Sequence, residues 1–199
     1  MLASKQTILF LGITCFIFLL LIFFLSRKKN KNQTHKLFIC LCSLLALWLI
    51  ELILQAVLSK PLGINPIYFD YFVYINTCLL PVIFLLLSIS FTDTKFKFNK
   101  RYFSLFIVPI ISLLVLWTND FHHLFYKEYS INLSDSKIGP FLIIHSLYTY
   151  LLLFIGIIKL AKYSIKNSGF FSKQSILIII GSLISIVINI LGTLGIIKM

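Results

Sequence analysis

Charged side chains are scarce in this sequence, at 12% of 199 residues, against roughly 25% in an average soluble domain. Hydrophobic residues make up 59%, and mean hydropathy is +1.00. Too little polar surface remains to cover a water-soluble globule. A soluble catalytic domain is therefore excluded, and the bilayer must be the solvent for most of the chain. Cysteine is also sparse: Cys15, Cys40, Cys42 and Cys78 all lie in apolar runs. Cys40-Leu41-Cys42 is not a C-x-x-C pair, so the four read as small packing residues, with no metal and no disulfide framework implied. Acyl-transfer, phosphate-loop and metalloprotease constellations are missing. No cofactor and no enzymatic activity are expected. Low-complexity linkers and internal repeats are missing too, so residues 1–199 read as one unit.

What the sequence does contain is apolar runs. A membrane-spanning helix needs about 20 mainly apolar residues. Runs of that kind predict helices over 7–25, 37–58, 68–91, 103–118, 139–161 and 175–197. The expected fold is all-α, a polytopic transmembrane bundle of about six helices. Pro81 lies inside the third run as an expected kink, and Pro109 inside the fourth. The first run is not a secretory signal peptide. Only Lys5 precedes it, no small-x-small site follows, and Arg27, Lys28, Lys29 and Lys31 come after it.

Loop charge tests this count. Thirteen of the 18 basic residues fall in alternate loops: 27–36, 95–101 and 159–173. Lys5, Lys60, Lys127, Lys137 and Lys198 fall on the other side. The positive-inside rule then places the basic loops inside and the N-terminus outside. The net charge of +12 would suggest nucleic acid in a soluble protein. In these short loops it sets topology and contacts anionic lipid headgroups, so membrane lipid is the expected partner and nucleic acid is not.

Polar residues inside the runs are candidate site residues, because a polar or ionisable group in hydrocarbon is costly. Glu51 lies 14 residues past Leu37, roughly 21 Å from the inner face. Asn76, His145, Tyr148 and Asn189 fall at similar depth, nearer the outside. Glu51 is the only acidic residue deep in a run, and His145 is its expected partner. Glu51, Asn76, His145, Tyr148 and Asn189 can line a small pocket open to the outside, taking an unknown extracellular or membrane ligand. They can instead be interhelical hydrogen bonds that hold the bundle together, the reading favoured for any one of them taken singly. The segment Asp120-Phe121-His122-His123-Leu124-Phe125-Tyr126 reads as a short amphipathic helix on the outer surface. Adjacent histidines do not share a helix face, so His122-His123 is a poor chelating pair. Asn132-Leu133-Ser134 fits a weak glycosylation pattern.

Several of these blocks resemble one family. They are Phe106-Ile107-Val108-Pro109, then Thr118-Asn119-Asp120-Phe121-His122-His123-Leu124-Phe125, then Gly139-Pro140-Phe141 with His145-Ser146-Leu147-Tyr148, and Lys173-Gln174 leading into Gly181 and Asn189. Together they are similar to the N-terminal seven-transmembrane region of bacterial sensor histidine kinases, over nearly the whole chain. Asn119, His122, His123, Gly139 and Pro140 are its motif positions. The resemblance implies an outward N-terminus, a bacterial plasma membrane and a sensory role. Occupancy of an outer pocket would shift helix packing, which a signalling partner reads. Two departures stand out. Ser185 occupies a place where the family usually has proline, and no seventh helix or kinase follows in this sequence. The expectation is a truncated or split gene product, or a sensory bundle working through a separate partner. The rival readings are a solute-binding subunit of an energy-coupling-factor-type transporter and a structural or immunity membrane protein. The small-residue docking motif of the first rival is not seen in the Phe-, Leu- and Ile-rich first run.

Overall fold

A computed structural model describes residues 5–29, 31–59, 61–93, 95–130 and 136–193, with side chains at all of these except 185 and 188–193. The helices are α1 (Lys5–Ser26), α2 (Gln33–Leu58), α3 (Ile67–Thr92), α4 (Ile107–Trp117), α5 (Asn119–His122), α6 (Pro140–Lys166) and α7 (Phe170–Thr193). A 3-10 helix, Lys100–Phe106, runs directly into α4. Strands β1 (Tyr126–Glu128) and β2 (Lys137–Ile138) form a small antiparallel hairpin with an irregular register. Five helical segments are long and apolar enough to cross a membrane: α1, α2, α3, Lys100–Trp117 and α6. The sixth apolar helix, α7, is apolar over Phe170–Ile184, and its backbone stays helical to Thr193. This is an all-α polytopic bundle.

The three basic loops gather at one end. Gln33 Oε1 accepts from Phe98 N at 3.2 Å, joining the first loop to the second. The Phe91 ring meets Tyr163 and Phe171, joining the second to the third. We call this end inner, following the charge rule.

The centre of the bundle is α3, which packs against α2, α4 and α6. Every residue from Pro81 to Ser88 is buried, as befits a helix that is apolar all round and enclosed on all sides. Val82, Ile83, Leu85 and Leu86 form the core with Leu152 of α6 and Phe96 of the inner loop. Helix α1 is the opposite case. It packs on α2, and Cys15 is its only buried described residue. Its Phe, Leu and Ile side chains face outward, where acyl chains solvate them.

Helix bounds differ from the apolar runs for local reasons. Helix α2 starts a turn early because Asn32 caps it, its Oδ1 accepting from His35 N at 2.8 Å. Helix α6 runs past 161 to Lys166, where Lys159, Lys162 and Lys166 can reach the headgroups from an apolar helix end. Helix α7 starts at Phe170 because Gly169, at φ +89°, turns the chain and Ser172 bonds Ser164. Residues 194–197 of the expected sixth run lie outside the described residues. The fourth run divides between Phe106 and Ile107, just ahead of Pro109, which has no N–H for the Leu105 carbonyl. Tyr148 Oη supplies that donor instead, at 2.7 Å.

The expected amphipathic helix over Asp120–Tyr126 is not formed. Only Asn119–His122 is helical, His123 takes a left-handed conformation at φ 52°, and Tyr126 begins β1. The Asn132-Leu133-Ser134 pattern lies outside the described residues.

Gly156 sets the approach of α6 to α3. A Cβ there would lie 2.7 Å from Phe84 Cε1 and 3.0 Å from Ser88 Oγ. Gly156→Ala should therefore lower the melting temperature in detergent, by overpacking worth about 1–3 kcal/mol. Trimming the ring with Phe84→Leu in the same chain should restore part of it, as differential scanning fluorimetry can show.

Candidate outer sensory site

The outer segment that follows Thr118 is tied into a knot by Asn119. This side chain is buried. Its Oδ1 accepts from Phe125 N at 2.8 Å and Tyr126 N at 3.1 Å, and its Nδ2 donates to Tyr126 O at 2.9 Å. It thus bonds the loop backbone as a neighbouring strand would. His122 completes the turn. Its Nδ1 accepts from Leu124 N at 3.0 Å, which puts the ring proton on Nε2. Nε2 then donates to Thr118 Oγ1 at 3.0 Å, whose own proton goes to Leu114 O. Both ring nitrogens of His122 are thereby engaged. His123 serves through its backbone, its N–H donating to Asn119 O at 2.8 Å.

Gly139 closes the knot. Its N–H donates to Phe125 O at 2.8 Å, and Phe141 N–H donates to Leu124 O at 3.0 Å. A Cβ at 139 would collide with the Leu124 carbonyl. Pro140 follows as the first residue of α6, where its missing N–H costs nothing. The five motif positions therefore build one outer loop.

Phe125 anchors that loop in the bundle. It is fully buried, with Tyr74 of α3 edge-on at 5.1 Å and the His145 ring at 6.2 Å. Tyr126 Oη and Tyr74 Oη lie 2.6 Å apart. Tyr129 Oη donates to Asp70 Oδ2 at 2.8 Å, and Asp70 Oδ1 accepts from Gln55 Nε2 at 2.8 Å. Asp70 on α3 therefore bridges the outer loop to α2. Burial pushes the Tyr126 phenol well above the ordinary tyrosine value, with the Tyr74 hydroxyl adding to it. Tyr129 is pushed the same way by burial and by the Asp70 carboxylate beside it.

The polar residues named from the sequence separate into pairs. Asn76 Nδ2 donates to Glu51 at 2.8 Å, joining α2 and α3 one turn below Gln55–Asp70. His145 does not partner Glu51. Its Nδ1 lies 2.9 Å from Ser112 Oγ on α4, and Ser112 donates to Val108 O, so the ring proton sits on Nδ1. The register of α6 turns His145 toward α4 and Tyr74 rather than toward α2. Tyr148 is occupied at the Leu105 carbonyl. The side chain of Asn189 lies outside the described residues. Sequence reasoning passed over Asp70, Gln55, Tyr74, Tyr126, Tyr129 and Ser112. The signal for the first two was present: an amide and a carboxylate at the facing ends of consecutive runs.

Residues 8–199 match the N-terminal 7TM region of histidine kinase. The chain belongs to this family. No curated protein and no solved structure matches it. As a histidine-kinase membrane region, its role is sensory and signal-transducing. Six apolar helical segments of it are present among the described residues.

Asn119→Ala should free three buried backbone contacts, each worth about 1 kcal/mol. Amide exchange at Phe125 and Tyr126 should then rise by at least about tenfold, while exchange in the centre of α3 stays slow. The tyrosines give a pH signature. Stability from their raised values is fully present below about 10, the unfolded tyrosine value. It is lost as pH rises beyond that, because the unfolded chain ionises while the folded phenols keep their protons. A phenolate titration at 295 nm should show Tyr126 and Tyr129 ionising only with alkaline unfolding, and Tyr126→Phe should remove one such late step.

Proposed function

We propose that this histidine-kinase membrane region detects a small extracellular or membrane ligand at its outer end, in the plasma membrane of a bacterium. The observation that carries this reading is Asp70, whose two carboxylate oxygens bond Tyr129 of the outer loop and Gln55 of α2. Displacing the loop frees one oxygen and leaves a half-buried acceptor unsatisfied, which favours repacking of α2 against α3. A second line runs through Tyr126 and Tyr74 to His145 and Ser112, and so to α6 and α4. Both lines end on helices that pack on α3, and α3 reaches the basic inner loops.

A ligand that binds one packing better than the other shifts the population. Glu51, Asn76 and His145 lie along the route and, with Tyr148 and Asn189, are the side chains we assign to ligand response. The output is read on the inner side by a histidine-kinase catalytic module, within the same polypeptide or in a partner. The matched region is the membrane part of the family, and catalysis belongs to that module.

A second reading has its own support. The Glu51–Asn76 and His145–Ser112 contacts satisfy one another pairwise, as interhelical bonds that only hold a bundle would. The two readings separate on variants. Asp70→Asn and Tyr129→Phe should alter the distance between spin labels at the inner ends of α2 and α6 and shift basal kinase output. Glu51→Gln and His145→Ala should abolish a response while membrane insertion stays intact. Lower melting temperatures with unchanged label distances and unchanged output in all four variants would establish the purely structural reading.

A further inference from the structure

The outer ends of α3 and α4 border an open cleft that no hydrogen bond described above uses. Tyr68, Tyr71, Phe72 and Trp117 line it, around a cavity of 320 Å³. The walls are held in place. Trp117 Nε1–H donates to Tyr71 O at 3.2 Å. The Tyr68 and Tyr71 rings stand edge to face, 5.8 Å apart at 82°. Asp120 lies three residues past Trp117, exposed and within electrostatic reach of the Tyr71 hydroxyl. Unlike Asp70, it has no hydrogen bond and no ion pair among the described residues, whose only ion pair is Lys137–Glu128. Below the cleft, the outward face of α4 is a stripe of exposed Ile107, Ile110 and Leu114 ending at Trp117.

These features select a ligand class. Aromatic ring faces attract a cation through their quadrupoles, and a quaternary ammonium is the form that gains most, because its methyl groups also pack on the rings. A nearby carboxylate without a partner repels anions and complements the positive head. The apolar stripe on α4 suits an alkyl chain lying in the outer leaflet. We infer that this cleft binds a cationic amphiphile, with its quaternary ammonium head between Tyr71 and Trp117 beside Asp120 and its tail along α4. Asp120 sits on α5, between the cleft and the Asn119 knot, so an occupant would bear on the outer loop. Binding itself does not depend on the signalling role proposed above.

The chain has two tryptophans, Trp48 and Trp117, which makes a direct test possible. Trp48→Phe leaves Trp117 as the reporter. The protein is held in dodecyl maltoside micelles, where neutral dodecyl tails are already in excess, and dodecyltrimethylammonium is added. The expected result is a saturable change in Trp117 fluorescence. Asp120→Asn, an exposed substitution that leaves the fold intact, should raise the midpoint roughly five- to tenfold. The Trp117→Phe chain, reporting through Trp48, should show no saturable change. The proposal is overturned by a non-saturable response, which would mean the cleft takes only neutral tails, by the same midpoint in Asp120→Asn, or by an equal response from Trp48.

Discussion

A backbone carbonyl in hydrocarbon has no water to turn to, and much of this structure answers that constraint. Pro109 removes one donor from the fourth span. The chain responds with a 3-10 segment before it and with the Tyr148 hydroxyl on the Leu105 carbonyl. The outer loop has the same problem where Phe125 draws it into the bundle. Asn119 and Gly139 then satisfy the backbone that burial has taken from water. Side chains that look like ligands in the sequence are thus partly spent on the backbone.

The polar groups are also distributed with order. The seam between α2 and α3 carries Gln55–Asp70 near the outer end, Glu51–Asn76 one turn deeper and Thr34–Ser90 at the inner end. Apolar contact between helices is weakly directional, because lipid tails are as apolar as leucine. These three rungs fix the register of two helices that hydrophobicity alone would leave free to slide. The outer rung is also the one the loop touches, so register and loop position are linked through a single carboxylate.

Much of the architecture was legible in the sequence because membrane spans are long and basic residues alternate between loops. The blocks around Asn119, Gly139 and His145 also pointed to the right family. Partners were harder to read. Glu51 and His145 share a depth, but depth says nothing about which neighbour a helix face meets, and His145 meets Ser112. The hairpin at Tyr126 was hidden for a related reason. Its strands are too short for a visible alternation, and they exist because Asn119 holds the backbone extended. Helix ends moved wherever a cap, a lysine or a glycine outweighed hydropathy, as at Asn32, Lys166 and Gly169.

Gly139 has a consequence for how such a chain can evolve. Its neighbours in the spans are leucine, isoleucine and phenylalanine whose task is to be apolar, and any of them can drift into another at small cost. At 139 even one methyl group meets the Leu124 carbonyl, so no side chain is a near neighbour in fitness. Divergence in this region should therefore be uneven. Membrane helices can lose recognisable sequence quickly, while a few loop positions stay legible over much longer times. The ancestry of the chain would then be written in one polar outer loop rather than in the helices that make up most of its mass.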